Sequence, residues 1–332
     1  MSSNFRTTFS IASISNKISY ENKILSIGSC FSQHIAERLQ WHKFSIYTNP
    51  FGITYNPLSI VSGLERILEN KNYTETELFF QNELWNSFDH HSDFSNTTKD
   101  TTLASINKSL ATSRHFLLQA ETIIITLGTA YIYQLKESNQ IVNNCHKVAE
   151  NKFNHVLLSA EKIVLLFSEV IKKISLENNR VNFIFTVSPV RHRNLTAEKN
   201  TLSKANLIVA CHELCQRFEG CQYFPAYELM MDDLRDYRFY NADMIHPNEI
   251  AIDYIFEKFV AAAVAENSLH IMKLVAQLKS NLAHRPRNPL SENHKKFLQQ
   301  QLLLMNKIAA ENIFIPFDAE KILIEQQLQG LN

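Results

Sequence analysis

The strongest constraint on the fold is the alternation of short apolar runs with helical text. "TIIITL" (122–127) and "NFIFTV" (182–187) are almost unbroken apolar and β-branched, the mark of strands covered on both faces, as in a parallel sheet. "KILSI" (23–27), "KFSIYT" (43–48) and "CQYFP" (221–225) read as three further strands. Between them, apolar residues recur at helical spacing. Phe31, Ile35 and Leu39 predict a helix to about Gln40, and Ile60, Val61, Leu64, Ile67 and Leu68 share one helical face. Helices are also expected over 103–119, 160–175, 203–218 and 246–266, the last with Pro247 in its first turn. This alternation predicts βαβ units and a three-layer α/β/α fold with a flavodoxin-like five-stranded parallel sheet. In such a sheet, ligands bind beyond the carboxyl ends of the strands.

The doubly wound domain is expected over residues 1–265. Residues 71–102 read as a long loop or short helices inserted between strands. Residues 266–332 contain the polar stretch "HRPRNPLSENHKK" followed by Gln-, Leu- and Ile-rich helical text. They read as a helical C-terminal extension that packs on the core or mediates self-association.

Lys+Arg and Asp+Glu are equal at 33 each, which gives no support for a nucleic-acid partner. No apolar run reaches the ~18–20 residues of a membrane span. The start of the chain lacks a basic segment followed by an apolar one, so no signal peptide is expected. Five scattered cysteines then read as free thiols in a reducing compartment, which implies a cytoplasmic location. Neither a G-x-G-x-x-G nor a P-loop pattern occurs, so no nucleotide cofactor is expected, and no ligand spacing suggests a metal.

Three of the six glycines, Gly28, Gly52 and Gly128, fall just past the first three strands. At Gly28-Ser29-Cys30 a strand gives way to a helix. Backbone N–H groups and the positive helix end at such a turn stabilise an anion, either a thiolate or the oxyanion of an acyl-transfer intermediate. The bland alternative is that Ser29 caps the helix and Cys30 is a small core residue. A partner base comes late, as Asp243-x-x-His246 after the fifth strand, where a carboxylate can orient an imidazole. Arg235, Asp236 and Arg238 offer Asp243 another use, in an ion-pair network that ties this loop down. Arg191 and His192 follow the fourth strand at the ligand-binding edge.

"ILSIGSCFS" resembles the first sequence block of the SGNH/GDSL hydrolases, and Asp243-x-x-His246 resembles their last. More closely, the chain resembles the GSCFA family, a branch named for its N-terminal motif, here "GSCFS". "NPFGITYNP", "TLGTAYIY", "NCHK", "TVSPVRH" and "YFPAYELMMDDLRDYRFYNADMIHP" extend the resemblance over about 20–260. It implies Cys30 as nucleophile with Ser29 as rival, His246 as base, Asp243 as its orienter, and an oxyanion amide at Gly52. The third block, G-x-N, falls on Gly128-Thr129-Ala130, so its asparagine is missing. Thr129, or Asn144 beside His146 in "NNCHK", is the candidate replacement donor. Two functions stay open. One is an esterase or O-acyltransferase acting on a small-molecule or carbohydrate ester. The other is a degenerate binding module, in which Trp85, Phe88 and Phe94 with Arg191 and His192 hold a carbohydrate or acidic ligand.

Overall fold

The structure, a computed structural model, describes residues 6–329, so the outermost residues of both expected segments lie outside it. The chain enters through β1 (Lys23–Gly28), α1 (Cys30–Trp41), β2 (Ser45–Thr48) and α2 (Pro57–Glu69). The insertion holds a small antiparallel hairpin, β3 (Phe79–Gln81) and β4 (Leu84–Asn86), and leads into α3 (Lys99–Gln119) and β5 (Ala120–Leu127). There follows an unexpected antiparallel sheet of β6 (Tyr131–Leu135), β7 (Ile141–Val142) and β8 (Phe153–Leu157). The βα alternation then resumes with α4 (Ala160–Glu177), β9 (Asn182–Val187), α5 (Ala197–Arg217), β10 (Cys221–Phe224), short α6 (Ala226–Glu228) and α7 (Glu249–Ala263). Helices α8 (Glu266–Ala283), α9 (Glu292–Glu311) and α10 (Asp318–Gln329) complete the described chain.

The main sheet is five-stranded and parallel, in the order β2-β1-β5-β9-β10. Counted along the five core strands this is 2-1-3-4-5, the doubly wound order expected. The period of two along each strand divides the core into two faces. Leu25, Ile27, Ile123, Ile125, Phe183 and Phe185 join one buried cluster with residues of α2, α3, α4 and α5. Ile24, Ile124 and Ile184 join the other, with residues of α1, α7 and the C-terminal helices. The order reverses between β1 and β5, so the switch-point crevice opens above their carboxyl ends.

Two expectations are corrected. Pro247 is not in the first turn of α7; it precedes the N-cap Asn248, whose side chain accepts from the Ala251 amide. The insertion, expected as a loop or short helices, holds the β3–β4 hairpin, and its aromatics pack it to the body. Trp85 and Phe94 pack against the core, and Phe88 stacks on Phe79 at 4.0 Å.

Candidate active site

The nucleophile-type turn is fixed from both neighbouring strands. The Gly28 amide donates to Asn49 Oδ1 (3.0 Å), the Ser29 amide to the Thr126 carbonyl (3.1 Å), and the Thr54 amide to the Gly28 carbonyl (2.8 Å). Gly28 has φ +153°, and a Cβ there would run into the Thr126 carbonyl oxygen, so only glycine lets the two backbones approach this closely. Asn56, Thr98, Ser159, Thr196 and Asn248 each cap their helix by a side-chain hydrogen bond. Ser29 holds the N-cap of α1 without making one, and its Oγ is buried with no partner. Cys30 follows at the first helical position and is half-buried. The capping explanation of Ser29 therefore fails, as does the buried-core explanation of Cys30.

Ser29, Cys30, Gly128, Thr129, Arg191, His192, Asp243 and His246 all line one cavity of about 260 Å³ at the switch point. Tyr55, Ser188 and Asn194 complete much of its wall. His246 Nδ1 lies 2.6 Å from Asp243 Oδ2, while Asp243 Oδ1 accepts from the Ile245 and His246 amides, each at 3.0 Å. The hydrogen bond from His246, reinforced by these two amides, holds the Asp243 carboxyl well below its usual range. Asp243 is not drawn into an arginine network: Arg235 pairs with Asp232 and Arg238 with Asp236. With Nδ1 engaged, Nε2 is the ring nitrogen left to take a proton. No hydrogen bond joins Cys30 to His246 among the described residues.

Burial pushes the Cys30 thiol above its ordinary value. The Phe31 and Cys30 amides and the charge of Lys204 pull it down, and Asp243 adds to the rise. The resting side chain is thus a thiol. Lys204 had no signal in the sequence as a site residue. It is fully buried, and its Nζ donates to the Gly128 and Ser188 carbonyls, both at 2.6 Å. It thereby ties the ends of β5 and β9 together beneath the cavity. Burial, helped by the charge of Arg191, pulls Lys204 down to about 7.

Several expected donors are committed elsewhere. The Gly52 amide donates to the Asn49 carbonyl, and Gly52 does not line the cavity. The Gly128 and Thr129 amides both donate to the Tyr55 carbonyl (2.8 and 3.0 Å). Thr129 Oγ1 is taken up by Ser203 Oγ and the Tyr131 amide. His146 is buried away from the cavity, its Nε2 bonded to the Ser87 and His90 carbonyls. Asn144 lines an adjoining cavity. Arg191 is held by Thr201 and Tyr227 hydroxyls and pairs with no carboxylate among the described residues.

Fold and cavity define a doubly wound α/β protein with a cysteine-bearing turn facing a His–Asp pair across the switch-point crevice. Residues 23–259 match the GSCFA family, and residues 275–330 match the GSCFA domain protein, C-terminal domain. The chain belongs to the GSCFA family. Among curated proteins, none matches it. No helix among the described residues is long and apolar enough to cross a membrane.

Proposed function

We propose that this protein is an acyl-transfer enzyme, an esterase or O-acyltransferase, working with a Cys/His/Asp constellation of the SGNH type. The observation that carries the reading is the 2.6 Å Asp243–His246 contact at the wall of the cavity that Cys30 also lines. His246 Nε2 takes the Cys30 proton as Sγ attacks an ester carbonyl. Asp243 fixes the imidazole tautomer and stabilises its charged form. The Cys30 and Phe31 amides, in the first turn of α1, supply oxyanion donors. The Arg191 guanidinium, which pairs with no carboxylate among the described residues, lines the same cavity. Collapse of the intermediate expels the alcohol with the proton from His246, and water or an acceptor hydroxyl then releases the acyl group. Catalytic contacts commonly tighten only with substrate bound, so the open Cys30–His246 approach fits a resting site.

The test is turnover of short aryl esters. Cys30→Ala and His246→Ala are expected to lower kcat/KM by ~10³-fold or more, and Ser29→Ala by ~10-fold. Unchanged rates in Cys30→Ala with loss in Ser29→Ala would transfer the nucleophile to Ser29. The commitment of the Gly52, Gly128 and Thr129 amides favours the second reading, a binding module. Absence of turnover across an ester panel, with Cys30 resistant to alkylation in the folded chain, would establish that reading instead.

A further inference from the structure

The cavity at Cys30 continues into a second lobe of about 230 Å³. Tyr55, Thr129, His192 and Asn194 border both. The chemistry changes across this ridge. No Asp, Glu, Lys or Arg lines the second lobe. Its Cys145 thiol is pushed up to about 11 and the Tyr55 phenol to about 12, both by burial, so both stay protonated at neutral pH. Beside the imidazoles of His192 and of His91, which lies 2.9 Å from Asp93, the lobe offers the rings and hydroxyls of Tyr55, Tyr131 and Tyr133 and the amides of Asn143 and Asn144.

Several of these groups have nothing to bond. Asn143 donates its Nδ2 to the Ile53 carbonyl (3.2 Å), but its Oδ1 is buried and unpartnered. Asn144 has the complementary arrangement: its Oδ1 accepts from the His146 amide (2.9 Å), which leaves its Nδ2 free to donate. The three tyrosyl hydroxyls make no hydrogen bond among the described residues. Tyr131 and Tyr133 share one face of the small β6-β7-β8 sheet, and the His155 ring stacks between them at 4.6 and 4.5 Å. That stack fixes two aromatic side chains at the wall of the lobe.

Building on the acyl-transfer reading, we infer that this second lobe is a saccharide subsite, holding the sugar whose O-acyl group lies beside Cys30. A pyranose has apolar C–H faces for tyrosine rings and a rim of hydroxyls that each donate and accept. The Asn144 amide donor and the tyrosyl hydroxyls suit that rim, and no Asp, Glu, Lys or Arg lies among them. The volume lies below the ~300–1,000 Å³ of larger ligand pockets, which suits one sugar unit. The step balances as sugar–O–acyl plus Cys30–SH giving sugar–OH plus Cys30–S–acyl. His246 carries the thiol proton to the departing sugar oxygen. Water then converts the thioester to the free acid and restores the thiol.

The experiment compares full-length protein on a panel of O-acetylated hexosides and N-acetylhexosaminides with 4-nitrophenyl acetate and an O-acetylserine peptide. A sugar ester is expected to be preferred over the peptide by ~10-fold or more in kcat/KM. Tyr133→Phe and Asn144→Ala are each expected to raise the KM for that sugar ester about 2–10-fold, the worth of one hydrogen bond, with melting temperatures unchanged. Equal use of the peptide, or variants that leave the sugar KM where it was, would overturn the subsite. Cys30-dependent hydrolysis of 4-nitrophenyl acetate in that same outcome would leave the acyl-transfer reading standing. Calorimetric binding of a deacylated hexoside, weakened by both variants and without turnover of any ester, would keep the subsite and overturn the acyl transfer.

Discussion

Ser29 and Cys30 share a turn but not an environment. The serine hydroxyl is sealed in and caps nothing, whereas the cysteine stands half-buried at a cavity wall at the start of α1. The pairing of Asp243 with His246 was legible because three-residue spacing within one loop fixes both partners. The fates of the Gly52, Gly128 and Thr129 amides were not legible, because each acceptor is a carbonyl that the fold brings in. Lys204 was hidden for a related reason: a lysine inside "NTLSKANL" reads as a solvent-facing helix residue, and only packing reveals its burial. Its titration makes a prediction. Burial holds Lys204 at about 7 in the folded chain against an ordinary 10.5. Between those values the unfolded chain binds more protons, so stability rises with pH, by up to ~1.4 kcal/mol per pH unit. Buried thiols act oppositely. Burial raises Cys145 and Cys215 to about 11 and Cys221 to about 12 from 9.0, so above pH 9 the folded chain keeps protons that the unfolded chain releases. The urea midpoint is therefore expected to climb from pH 7 to 9 and then turn over. Lys204→Met should lose the climb and keep the fall; a wild-type midpoint flat from 7 to 9 would contradict this account.

At the scale of elements, the long apolar strands could be read and the short polar ones could not. β9 spans the residues expected, and β5 differs only by starting two residues earlier, because buried parallel strands write continuous apolar text. The hairpin β3–β4 escaped because its turn lacks the usual signature. Asn82 and Glu83 are both left-handed, at φ 50° and 61°, and a glutamate in the second position gives no warning of it. β6 (YIYQL) and β8 (FNHVL) are five residues each without a regular polar–apolar alternation, too little to separate from loop. Of these unread elements β6 lines the second lobe, through Tyr131 and Tyr133, so that lobe was less visible in the sequence than the cavity at Cys30. The β1–α1 joint can be tested directly. Gly28→Ala places a methyl against the Thr126 carbonyl at a φ that side chains rarely adopt. Chemical denaturation is expected to report a loss of ~2–4 kcal/mol. A loss under ~0.5 kcal/mol, the scale of ordinary surface changes, would show that the two strands can part without harm.

For the whole molecule, the C-terminal helices are where sequence text reached least far, since amphipathic helices name a buried face but not what covers it. Here that face lies on the α1–α7 side of the sheet. Val275, Leu278, Leu298, Met305, Ile308 and Ile324 belong to the same buried cluster as Ile35, Leu39, Phe256 and Phe259. The joint is also polar at the end of α1: Lys43 pairs with Glu320 at 2.7 Å and donates to the Pro316 carbonyl, and Lys279 lies over the Trp41 ring. Each fully buried Leu, Ile or Phe that lost its cover would forfeit ~1.5–3 kcal/mol, so a few such side chains amount to a typical domain's whole stability. One shared cluster also implies one cooperative unit, because neither side can open without exposing the other. Calorimetry of the full chain is therefore expected to give a single unfolding transition, with agreement between calorimetric and van't Hoff enthalpies. A chain ending at residue 265 is expected to aggregate or to melt at least ~10 °C lower. Two separate transitions, or a truncated chain that melts like the full one, would show that the C-terminal helices are an appendage, and the α1–α7 face would then have to be stable bare.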